Sequence, residues 1–81
     1  GILIMINQEI VLNATGTLIS DLISDFVVGT QIKVIAIRSF NNVNKTFVTI
    51  EDINFIPERG RPEKRCTVHL ETLDESVVIN L

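Results

Sequence analysis

The segment QIKVIAIRSF, residues 31–40, restricts the fold of this chain more than any other. On an extended backbone, Ile32, Val34, Ala36 and Phe40 point to one side and Ile35 and Ile37 to the other. Both sides are apolar through the middle, which predicts a central or doubly covered strand. Such a strand needs partners of the same period, and three later segments have it. TFVTIEDINFI (46–56) follows the Asn-rich turn NNVNK (41–45), CTVHLETL (66–73) alternates cleanly, and VVINL (77–81) follows a short turn at DES. In 46–56 the alternation slips near Glu51 and Asp52, which predicts a bulge or bend, and Pro57 is expected to end the strand.

The N-terminal part reads differently. ILIMINQEIVL (2–12) has strand character and stops at the turn residues of NATG. TLISDLISDF (17–26) changes period, because Leu18, Ile19, Leu22, Ile23 and Phe26 fall on one stripe of a helix. Thr15 or Thr17 is placed to cap that helix, and Gly29 lies where it would stop. The expected fold class is therefore α+β. It is a small single domain over residues 1–81, with a mostly antiparallel sheet of about five strands and one amphipathic helix at about 17–27. The sheet is expected to be a meander or small open barrel. Leu22 and Phe26 are expected to cover it, with Val34, Val68 and Ile79 beneath.

Composition enters through size. A chain of 81 residues buries only about 60% of its unfolded surface, yet 46% of these residues are hydrophobic. That surplus predicts a homo-oligomer. The net charge of −3 argues against a general nucleic-acid coat or a membrane-surface protein. The single cysteine, Cys66, excludes an internal disulfide, so an intracellular, cytoplasmic setting is expected. No stretch approaches the ~20 apolar residues of a membrane span, and GILIMI lacks the basic region of a signal peptide.

Charge is unevenly spread. ERGRPEKR (58–65) holds four of the seven basic residues. Pro57, Gly60 and Pro62 mark a protruding tip, where Arg59, Arg61, Lys64 and Arg65 are candidates for binding phosphates or carboxylates. A solvated, charged hairpin tip is the plainer reading of the same residues. No aromatic residue interrupts the run, so base stacking by this loop is not supported. His69 lacks the converging ligands of a metal site, and no metal or cofactor is expected. Cys66 lies near Lys64 and Arg65 but begins a strand on its apolar side, as a buried structural cysteine does. Cys66 and His69 point to opposite faces, and no phosphate loop or catalytic motif is present, so no enzyme is expected.

SFNNVNKTFVTIEDINFI (39–56) locally resembles the second-to-third strand region of Sm-like proteins, over less than a quarter of the chain. The resemblance implies base contacts at Phe40 and Asn44. The Arg-Gly signature before the family's fourth strand and its glycine-marked bend are missing from this chain. The leading expectation is a non-enzymatic protein-interaction module of the adaptor, inhibitor or assembly type. It would be homo-oligomeric, contact an acidic protein partner through the 58–65 loop, and be of the kind that viruses and mobile elements encode. The alternatives are a nucleic-acid binder, as a Sm-like or OB-like small barrel using that loop, or a binder of an anionic small ligand.

Overall fold

A computed structural model describes residues 10–40 and 42–80. The elements run β1 (Thr15–Leu18), β2 (Gln31–Phe40), β3 (Lys45–Asp52), β4 (Arg65–His69), α1 (Leu70–Ser76) and β5 (Val77–Ile79). The strands form one antiparallel open sheet in the order β4-β3-β2-β1-β5. The fold is α+β, as expected, and β2 is its central strand.

Within β2 the pairing with β3 shifts between Val34 and Ala36, leaving Ile35 as an extra residue. This bulge explains why the sequence of β2 is apolar on both sides. Ile32 and Val34 point into the core; beyond the extra residue the phase changes, and Ile37, opposite buried Val48, faces the core as well. The expected grouping of Ile37 with Ile35 on the far side is thereby corrected. The bend expected near Glu51 and Asp52 is present and ends β3: the Asp52 carboxylate accepts the Asn54 amide at 2.9 Å, turning the chain five residues before Pro57, the residue expected to end the strand.

The helix is not where its periodicity placed it. Thr15–Leu18 is strand β1, and residues 19–30 form a wide loop closed at its base by Leu18 N–H to Thr30 O (2.9 Å) and Gly29 N–H to Leu18 O (2.8 Å). Gly29 makes the return with a φ of 94°, a conformation that suits glycine. Ser20, Asp21, Ser24 and Asp25 are poor helix formers whose side chains compete for backbone groups; Ser20 Oγ accepts the Leu22 amide at 3.4 Å. Leu18, Ile23 and Phe26 still enter the core, but Leu22 is 56% exposed and does not cover the sheet.

The helix that does form, α1, has the good formers Leu70, Glu71, Leu73 and Glu75 among its seven residues, with Leu73 and Ser76 buried and Leu70 packed at the core edge. It replaces the expected end of the 66–73 strand and the turn at DES. The buried cluster joins Ile32, Val34, Val48 and Ile50 of the sheet to Leu18, Ile23, Phe26, Leu73 and Val77, with Val68 and Ile79 packed against it. The expected strand at 2–12 lies largely outside the described residues, and its residues 10–12 are not strand.

Gly16 permits the sheet's extension on the β5 side. A Cβ there would sit 2.6 Å from Val77 Cγ1 and 2.8 Å from the Val78 carbonyl oxygen, so β1 and β5 approach only because the position lacks a side chain.

Candidate functional site

The basic stretch lies in the β3–β4 connection and folds into a tight tip. Glu58 and Arg61 exchange backbone hydrogen bonds at 2.9 Å in each direction, and Gly60 turns with a φ of 77°. The four expected cations are near one another in sequence but have different surroundings. Arg59 is exposed at the tip, without an ion pair among the described residues. The Arg61 guanidinium lies 5.5 Å from the centre of the Phe55 ring. Lys64 is half-buried, with its ammonium 5.3 Å from the centre of the core residue Phe26. Arg65 is the first residue of β4 rather than a loop residue, and it pairs with Glu51 at 3.1 Å and Glu63 at 3.7 Å.

The wide loop between β1 and β2 presents a second surface. Ile23 and Phe26 anchor it, while Ile19, Leu22, Val27 and Val28 are each more than half exposed, Val27 at 77%. Sequence periodicity identified most of these residues as apolar but assigned them to a covering helix.

A third surface was not assembled from the sequence, although the Sm-like resemblance pointed to Phe40 and Asn44. The sheet face opposite the core carries Thr49 and Thr67, hydroxyl to hydroxyl at 2.8 Å, and, at one end, three rings from three strands. Phe47 of β3 lies opposite Arg38 of β2 and His69 of β4, and Phe40 lies opposite Lys45 in the adjoining row. The Phe40 and Phe47 rings meet edge-on, with centres 5.5 Å apart and planes at 78°. The Phe47 and His69 rings are 4.5 Å apart and tilted by 40°. Phe40 is 44% exposed, His69 is exposed and Phe47 is half-buried between them. The β2–β3 turn and α1 enclose an adjoining groove of about 370 Å³, whose walls include Asn44, Lys45, His69, Glu71 and Thr72.

Two titratable groups are displaced from their usual ranges. The Cys66 thiol is pushed up to about 11 by burial, with a further push from the Asp25 carboxylate and a partial offset from Lys64. It is held as a thiol at neutral pH, the reverse of what a nucleophile requires. The Asp74 carboxyl, 3% exposed, is raised by burial and by the neighbouring Glu75. Among the described residues no group of three or more His, Cys, Asp or Glu is placed to hold a metal ion, and no helix is long and apolar enough to cross a membrane.

Comparison with protein-family models, with curated proteins and with solved structures found no match for this chain. The local likeness of residues 39–56 to Sm-like proteins therefore stands on those residues alone.

Proposed function

We propose that this chain is a non-enzymatic interaction module that associates with itself through the 19–28 loop. The observation that carries the reading is the set Ile19, Leu22, Val27 and Val28, exposed together on a loop whose Ile23 and Phe26 are locked into the core. Burying such a side chain from full exposure gains about 1.5–3 kcal/mol; these four are 51–77% exposed, so a second copy covering this loop gains roughly half to three-quarters of that from each. The anchoring residues hold the loop in place, which lowers the cost of ordering it on association. The exposed tip of the β3–β4 connection, with Arg59, is the contact for an acidic protein partner.

Light scattering across micromolar concentrations tests the reading. The parent is expected to be at least a dimer, and a Leu22→Ser/Val27→Ser variant is expected to be a folded monomer. A parent that is monomeric throughout that range refutes self-association.

A further inference from the structure

We propose that the outer face of the sheet, at its Phe47 end, binds single-stranded nucleic acid. Bases would stack on the Phe40, Phe47 and His69 rings, and phosphates would be held by Arg38 and Lys45. This inference does not rest on self-association and uses a different part of the molecule.

The register of three strands is what assembles the surface. It sets Arg38, Phe47 and His69 in one row across β2, β3 and β4, and Phe40 with Lys45 in the next. Phe40 and His69 pack against Phe47 from either side, edge-on at 78° and tilted at 40°, so the cluster presents separate ring faces to a base. Every base has a π face, which makes such stacking tolerant of sequence. The segments that cover the sheet insert Ile23, Phe26 and Leu73 on the other side, together with Val34, Val48 and Ile50.

Charge favours a polyanion as the occupant. Arg38 and Lys45 are exposed and make no ion pair among the described residues, whereas Arg65, farther along the same face, is engaged by Glu51 and Glu63. Positive charge is therefore available beside the rings of a chain whose net charge is −3. An apolar protein surface would also cover Phe40, but it would leave these two cations without partners. The adjoining groove offers the Asn44 amide and the Thr72 hydroxyl to a base edge, while its carboxylates, Glu71 and Asp74, disfavour phosphate there and leave the phosphates to Arg38 and Lys45.

The test is fluorescence anisotropy with labelled oligouridine and oligothymidine of about 12 nucleotides, a length within the range of small single-strand binding sites. Titrations are run at about 50 and about 200 mM salt, with a duplex of the same length as control. Single strands are expected to bind more tightly than duplex, with affinity falling as salt rises. The oligouridine and oligothymidine arms distinguish RNA from DNA as the source. Phe40→Ala and His69→Ala are each expected to weaken binding about tenfold, as loss of a stacked base does. Arg38→Ser/Lys45→Ser is expected to weaken binding and flatten its salt dependence. Phe47 is left intact because it is half-buried, and thermal melting of each variant confirms that it folds. The proposal is overturned if neither oligonucleotide binds at low salt, or if duplex binds equally well. It is also overturned if the face variants bind like the parent while Arg59→Ser/Arg61→Ser does not. A protein that is monomeric yet binds these strands would refute self-association and leave this inference standing.

Discussion

The two faces of the sheet are built from the same strands and have opposite characters. On one, Ile32, Val34, Val48 and Ile50 are completely buried. On the other, neighbouring residues of the same strands form hydroxyl and amide contacts, such as Gln31 to Thr17 at 2.9 Å, and end in the exposed rings around Phe47. The core face makes the fold. The outer face is freer to vary in chemistry, because its described side chains are half-buried or exposed rather than packed in the core. The bulge at Ile35 allows the longest strand to serve both faces, bringing Ile37 to the core side and Arg38 to the outer side.

Several substitutions would break or sharpen that contrast. The largest loss is expected on the core face: Ile50→Ala removes a fully buried side chain and should cost about 2–5 kcal/mol, read from denaturant midpoints. A loss below about 0.5 kcal/mol, the range of ordinary surface substitutions, would mean that the two faces are not so distinct. Gly16→Ala should cost about 1–3 kcal/mol, because its methyl group meets Val77 and the Val78 carbonyl. Ser76 is fully buried, and its hydroxyl has no hydrogen-bond partner among the described residues. Ser76→Ala should therefore gain up to about 1 kcal/mol, seen as a higher melting temperature. On the outer face, Thr49→Ala loses a cross-strand pair with Thr67 and should cost only about 0.2–1 kcal/mol.

The slightest effect at neutral pH concerns Cys66. Its folded pKa is raised from 9.0 to about 11, so the folded state keeps its proton where the unfolded state has lost it. The stability it contributes is fully present below about 9 and is lost as pH rises through about 11. Ultraviolet titration of the thiolate should give a midpoint near 11 in the folded protein, and alkylation at pH 8 should be slower than for an unhindered thiol.

The fold class and the bounds of β2 were legible from local alternation, because a run of β-branched residues carries its own period. The helix was misplaced because two signals of similar strength compete. TLISDLISDF has helical spacing, but its Ser and Asp residues favour turns, and strand pairing at Thr15–Leu18 prevailed. Leu70, Leu73 and Val77 also have helical spacing, but the strand ending at His69 masks where it begins. The basic loop was visible because its residues are contiguous. The aromatic cluster was not, because Phe40, Phe47 and His69 lie on three strands and meet only through a register that the sequence does not state.

The placement of β1 has a kinetic consequence. This four-residue strand pairs with β2 on one side and with β5 on the other, so Gly16 faces both Ile32 and Ile79. A growing chain can zip β1 through β4 together hairpin by hairpin. β1 must then wait, with one edge open, for a strand made after all the others. Such distant pairing incurs its loop-closure entropy before any contact offsets it, which slows folding. Seating of Val77 beside Gly16 is expected to be the late, committing event, and until it occurs the newly made sheet exposes a short adhesive margin to its neighbours.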